Sequence, residues 1–374
     1  MKIALHNHHL QPWFEYHPYI QSLIKRNEVC GIFISDRSFL NLCKSVKNKT
    51  LYKFINEAKE NNLEIFYDIN KLNSEYDVLL DLNFFTSKLH TSLPDSLKKF
   101  NGIKIFHIGD YFGYHKATEI HSRLKEIDVT ALLGYCMHDN YCNFFREYYS
   151  SYIGKVWGVP FGYSERFKKY KEFGSRIDKA ISLGSLYKLS NSQFKKKFLF
   201  EAISFFKDEQ WFHRFREKLF SQREEISKYI ECGIPDPFSN NNQRLDLVKA
   251  FNDFKFFVSC ESIFNFPTAK VYEGTASGSI LLASEHPVYD EIGFKNNQNC
   301  ILFEHENIKD LTNKIDFYLN EDREILEQIA INSNAFTHEY FNSNTISNYI
   351  LDICRKYMKN KVHEPEPYIQ AIKK

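Results

Sequence analysis

Between Phe256 and Ser284 the residues follow an order suited to holding a phosphorylated ligand. An apolar strand, Phe256 to Ser259, enters a polar loop, and a helix is expected to begin near Thr268. The Thr268 hydroxyl can cap that helix, and the free amides of its first turn form an anion site. Lys270 adds a positive charge to the turn, and Glu273, one turn on, lies on a neighbouring face. A carboxylate there can accept hydrogen bonds from two vicinal hydroxyls, as on a ribose. Amides and a lysine for a diphosphate, with a glutamate for a ribose, describe a nucleoside diphosphate site. The same residues also describe an ordinary capped surface helix bearing a Lys–Glu pair.

Such a site needs strands to aim its loops, and the chain supplies short apolar runs alternating with helical stretches. In the first half the expected strands are Lys2 to Leu5, Cys30 to Ser35, Leu63 to Asp68, Asp77 to Leu82, Gly102 to Ile108, Val129 to Gly134 and Lys155 to Val159. The alternation stops at Pro160, and the charged stretch 163–176 reads as a linker. It restarts at Lys179 to Gly184 and continues through Phe256 to Ser259, Ile280 to Ala283 and Cys300 to Phe303. Phe212, Phe215, Leu219 and Ile226 suggest one helix that ends before Gly233. Strands alternating with helices imply parallel βαβ units. The expected organisation is an N-terminal unit over 1–162, the linker 163–176, a second unit over 177–340, and a closing helix and tail over 341–374. Ligands of such sheets bind at the strands' carboxyl ends, so two units suggest a cleft between them.

Composition narrows the classes. The 374 residues are 43% hydrophobic and 26% charged, so the chain is globular rather than disordered. Lys+Arg number 49 and Asp+Glu 47, a net charge of +2 that argues against a nucleic-acid binder. No apolar run reaches the ~18 residues of a membrane span, and the N-terminus lacks the pattern of a signal peptide, so a cytoplasmic protein is expected. The eight cysteines lack any C-x-x-C spacing and read as buried thiols. Cys136, His138 and Cys142 have no second ligand pair, so no zinc site is expected.

The stretch from Phe256 to about Ala335 resembles the C-terminal domain of glycosyl transferases of the group 1 type, in the subset that includes spore-maturation-like proteins. The resemblance rests on Lys270, Tyr272-Glu273, the small-residue run to Gly278 and the strand to Ser284. It continues through Pro287 to Glu291 and Asn299 to Phe303. It implies a GT-B fold, two Rossmann-like α/β domains facing across a cleft, with the second holding a nucleotide sugar as substrate and no catalytic metal or other cofactor. Glu273 then becomes the ribose ligand. Gly184 and Ser185 match the family's turn near the diphosphate, and Lys188 its neutralising base. The family's retaining pattern has two glutamates separated by seven residues; counting back from Glu273 gives Asn265, with Glu261 displaced, so the first glutamate is unassigned.

The implied activity is sugar transfer from a nucleotide-sugar donor to a glycan or lipid-linked acceptor, in cell-surface polysaccharide synthesis. By inversion it needs a general base. Asp110 is the first candidate, after a strand end and a glycine, followed by His107 and by His8 and His9 in the loop after the first strand. The basic runs 164–171 and 195–197 suit peripheral contact with the inner face of a membrane. Rival readings are a sugar-nucleotide epimerase or hydrolase on the same fold, and a binding protein without turnover.

Overall fold

The computed structural model describes residues 1–6, 18–35, 56–82, 93–109, 111, 116–186, 188, 209–233, 246–320, 323–359 and 364–374. His8, His9, Asp110 and the run 195–197 therefore lie outside the described residues. Contacts divide the chain into two compact units: Met1–Pro160 with Ser343–Lys374, and a second within 161–342.

The first unit is a parallel seven-stranded sheet. Its strands are β1 (Ile3–His6), β2 (Val29–Phe33), β3 (Glu64–Phe66), β4 (Val78–Asp81), β5 (Ile103–His107), β6 (Ala131–Gly134) and β7 (Val156–Gly158). The order β3-β2-β1-β4-β5-β6-β7 reverses direction between β1 and β4. Every residue of β1, β4, β6 and β7 is buried, as parallel strands covered on both faces must be. All seven strands read from the sequence are present, mostly trimmed by a residue or two at each end.

The second unit holds a parallel five-stranded sheet: β8 (Ile177–Leu183), β9 (Ile230–Gly233), β10 (Phe254–Val258), β11 (Ile280–Ser284) and β12 (Ile301–Phe303). Its order, β12-β11-β10-β8-β9, reverses between β10 and β8. The helices that concern the site are α1 (Arg214–Ser221), α2 (Leu247–Asp253), α3 (Ala269–Ala276), α4 (Pro287–Glu291), α5 (Ile308–Asn320) and α6 (Arg323–Tyr340). Asp246 caps α2 by accepting from the amides of Val248 and Lys249. Gly274 lets α3 lie close on β10, since a Cβ there would sit 2.5 Å from the Phe257 ring.

Two expectations change. The helix read toward Gly233 stops at Ser221, and Ile230–Gly233 is an edge strand on β8. The stretch 163–176 is no linker: Tyr163, Phe167 and Phe173 are buried. Arg176 beside them is also buried and donates to the carbonyls of Lys171, Phe251 and Ser277. The closing helix is present as α7 (Ser343–Met358); the sequence left its unit unassigned, and contacts place it in the first unit although it follows the second in sequence. Ser347 Oγ donates to the Tyr19 carbonyl at 2.8 Å, and Trp157 Nε1 to the Tyr357 hydroxyl at 3.1 Å.

Candidate functional site

The second unit gathers its ionisable side chains where β8 and β10 end, beside the reversal of strand order. After Leu183 the chain turns through Gly184 at φ +126°, a conformation that L side chains rarely adopt. A Cβ on Gly184 would stand 2.7 Å from the Arg216 guanidinium carbon. Arg216, on α1, is buried, and its Nη1 donates to the Ser185 carbonyl at 2.8 Å. The turn after β8 thus wraps a buried cation.

After β10 the loop brings Glu261 within electrostatic reach of the same cation. Its carboxylate accepts from the Tyr289 hydroxyl, which also lies 3.2 Å from Ser259 Oγ. Burial raises the Glu261 carboxyl to about 7 against the opposing Tyr289 hydrogen bond. The Glu261 carbonyl is 3.1 Å from His213 Nδ1, so that nitrogen carries the ring proton. Burial, and then Arg216, hold His213 well below the usual histidine range.

α3 begins after Thr268, which takes an extended N-cap backbone, φ −84° and ψ 160°. Its hydroxyl does not cap the helix, contrary to the sequence expectation; Oγ1 is buried with no partner among the described residues. The first-turn amides are thereby left uncapped by it, which suits an incoming anion. Burial, and then the Arg216 charge, lower Lys270 to about 8, against the pull of Glu273. Burial raises Glu273, against Lys270 and Arg166.

Asn265, where the family's first glutamate would fall, has φ +61° and donates its amide to the Ser262 carbonyl. The loop spends that position on a left-handed turn, for which asparagine is suited, and Glu261 supplies the nearby carboxylate. Of the donor-side residues read from sequence, Gly184, Ser185, Lys270 and Glu273 meet in or beside the Arg216 cluster. Lys188 instead stacks its ammonium over Trp211, 5.5 Å from the ring centroid. Arg216 itself escaped the sequence reading. It occupies the i+4 slot of the spacing Phe212, Phe215, Arg216, Leu219, and a charge in the apolar stripe of a helix was the available sign.

In the first unit, His107 is buried at the end of β5, and its Nδ1 accepts from the Gly109 amide at 3.0 Å. His138 is also buried, 2.7 Å from the Tyr111 hydroxyl, and burial lowers it to about 3, so it is a neutral core residue. Among the described residues no group of three or more His, Cys, Asp and Glu could hold a metal ion. The seven described cysteines are free thiols.

Residues 213–352 match a family model described as glycosyl transferase-like. None of the curated protein sequences matches the chain. Among solved structures it resembles HepE of Anabaena in complex with UDP, at 11% identity and TM-score 0.54, covering 95% of this chain and 100% of that one. It also resembles a sucrose-phosphate synthase of Thermosynechococcus elongatus, at 13% identity and TM-score 0.55, covering 96% and 100%. A glycosyltransferase of Rickettsia africae is similar at 13% identity and TM-score 0.54, covering 96% and 99%. Both parallel sheets are thus those of the GT-B fold, and Arg216, Glu261, Lys270 and Glu273 all lie within the stretch that matches the glycosyl transferase-like model.

Proposed function

We propose that the protein is a glycosyltransferase that moves a sugar from a nucleotide-sugar donor to a glycan or lipid-linked acceptor. The observation that carries the reading is the cation cluster at the strand reversal of the second unit. There Arg216 packs on the turn at Gly184, and Lys270, in the first turn of the uncapped α3, lies within its electrostatic reach. Oriented donors and buried cations of this kind stabilise charge as it develops on a leaving diphosphate. Glu273 binds the ribose, and Glu261, near its neutral form at pH 7, donates to or accepts from a sugar hydroxyl. The complex of HepE with UDP supports a uridine nucleotide.

In this reading Lys270, Arg216 and the helix amides neutralise the diphosphate, so turnover does not require a divalent cation. Membrane contact is a further part of the proposal: no described helix is long and apolar enough to cross a bilayer, so a lipid-linked acceptor would be met at the surface.

The test is to incubate the protein with a panel of nucleotide sugars, with and without candidate glycans, and measure nucleotide release. Release that requires an acceptor supports transfer. Release to water, interconversion of the donor, or thermal protection without turnover each replaces it with hydrolysis, epimerisation or binding alone.

A further inference from the structure

We propose that Tyr289, oriented by Ser259, is a positioning residue that holds Glu261 as the acceptor for a hydroxyl of the donor sugar. The proposal rests on the transferase reading above and concerns the second unit alone.

The residues come together from adjacent strands of one sheet. β10 and β11 are parallel partners, Phe256 to Val258 against Ile280 to Leu282. The Ser259 amide extends the pairing by donating to the Leu282 carbonyl at 2.9 Å. Beyond β11 the chain enters α4, which has Pro287 in its first turn. His286 caps that helix, its Nδ1 accepting from the Val288 amide at 3.2 Å. Tyr289 follows on this fixed turn, and its hydroxyl reaches Ser259 and Glu261. The loop after β10 is fastened separately. The Ile263 amide donates to the Phe212 carbonyl at 3.0 Å, and His213 donates to the Glu261 carbonyl. The Glu261 backbone is therefore held by one set of partners and its side chain by another.

The direction of the hydrogen bonds follows from the groups. A carboxylate only accepts, so the single proton of the Tyr289 hydroxyl goes to Glu261 Oε1. The Tyr289 oxygen then accepts from Ser259 Oγ, 3.2 Å away. Ser259 and Tyr289 are buried, whereas Glu261 is half-buried. Of the three, the glutamate is the member a ligand can touch, and with Oε1 engaged by Tyr289 it meets the ligand through Oε2.

Charges of both signs face Glu261. Arg216 on α1 favours the ionised form, and Glu306, after β12, disfavours it. Tyr289 and the residue's own amide favour the ionised form, while burial, the largest effect, opposes it and leaves the carboxyl at about 7. His213 meets the carbonyl rather than the carboxylate, and burial holds it neutral. Burial likewise keeps the neighbouring Cys260 a thiol. In the ionised form Oε2 accepts a sugar hydroxyl. In the neutral form Tyr289 still requires Oε1 as its acceptor, so the proton sits on Oε2 and removes that role. A hydrogen bond to a charged group is stronger than one to a neutral group, so the contact with the sugar strengthens as Glu261 ionises.

The experiment measures the affinity of the full chain for UDP-glucose by titration calorimetry, from about pH 6 to about 8.5, in wild type, Tyr289→Phe and Glu261→Gln. The glutamine cannot ionise, so dividing each affinity by that of Glu261→Gln cancels the other titrations, Lys270 included. For wild type the quotient should rise at least about threefold through pH 7. Tyr289→Phe removes a bond that favours the ionised form, so its rise should lie at least about half a pH unit higher. Its affinity for UDP at pH 7, within about twofold of wild type, shows that the diphosphate site is folded. Ser259→Ala leaves the Tyr289 ring in place, should move the rise in the same direction, and decides the matter if Tyr289→Phe fails to fold. A wild-type quotient that is flat with pH, or a folded variant whose rise stays at the wild-type pH, overturns the proposal and leaves the transferase reading standing. Wild-type protein that binds neither UDP-glucose nor UDP removes the donor reading, and this proposal with it.

Discussion

At the scale of single residues, the second unit's site sets one buried charge, Arg216, among the half-buried Glu261, Lys270 and Glu273. Glu273→Ala should weaken nucleoside diphosphate binding while leaving the fold intact. Charge-assisted hydrogen bonds contribute about 1.5–3 kcal/mol, so titration calorimetry should show a loss of one to two orders of magnitude in affinity; unchanged affinity removes the ribose role. Lys270 makes a second prediction, with a definite sign. Burial lowers it to about 8, so the free protein sheds that charge as pH rises through 8. A bound diphosphate favours the ammonium. Binding near pH 8 should therefore take up protons, and affinity should fall between pH 7 and 9. Calorimetry in buffers of different ionisation enthalpy reads the uptake, and Lys270→Arg, which stays charged, should abolish it. Lys270 and Glu273 were legible because one helical turn joins them. Arg216 was not: nothing local says that the turn after β8 closes over a cation 31 residues on. His6 and Asp81 were illegible as a pair for a similar reason, since register between β1 and β4 brings them together across 75 residues.

At the scale of elements, strands with both faces buried announced themselves as apolar runs, whereas edge strand β9, with Glu231 exposed, did not. The segment 163–176 shows the same limit from the other side. Its charges read as solvated, yet Tyr163, Phe167 and Phe173 are buried and Arg176 ties it down. Arg176 donates to the carbonyls of Lys171, Phe251 and Ser277 and to Asn252 Oδ1. It therefore fastens the segment to the C-terminal ends of α2 and α3. Arg176→Met keeps much of the volume but strands these acceptors in the interior. Unsatisfied buried groups cost ~1–3 kcal/mol each, so urea unfolding should show a loss of at least about 2 kcal/mol. A loss under about 0.5 kcal/mol, the range of neutral surface changes, would mean that the segment is a tether after all.

At the scale of the molecule, the chain leaves its first unit, builds the second and comes back. A linear reading cannot see that return, because α7 has the same amphipathic pattern whichever unit it covers. The structure settles the matter through partners. Ser347 reaches Tyr19, Tyr357 accepts from Trp157, and Arg355 pairs with Glu28. Ile346, Ile350, Leu351 and Ile353 are buried on the helix face that does this. Full burial of such side chains contributes ~1.5–3 kcal/mol each, so these four supply about 6–12 kcal/mol. A domain's whole stability is ~5–15 kcal/mol, so the first unit should not survive without α7. A chain ending at Asn342 should lose hydrogen-exchange protection across β1 to β7 and keep it across β8 to β12. Nucleoside diphosphate binding should persist, because Gly184, Arg216, Lys270 and Glu273 all belong to the second unit. Protection retained in β1 to β7 would show that the helix decorates the first unit rather than completing it. Diphosphate binding lost along with it would show that the donor site draws on more than the second unit.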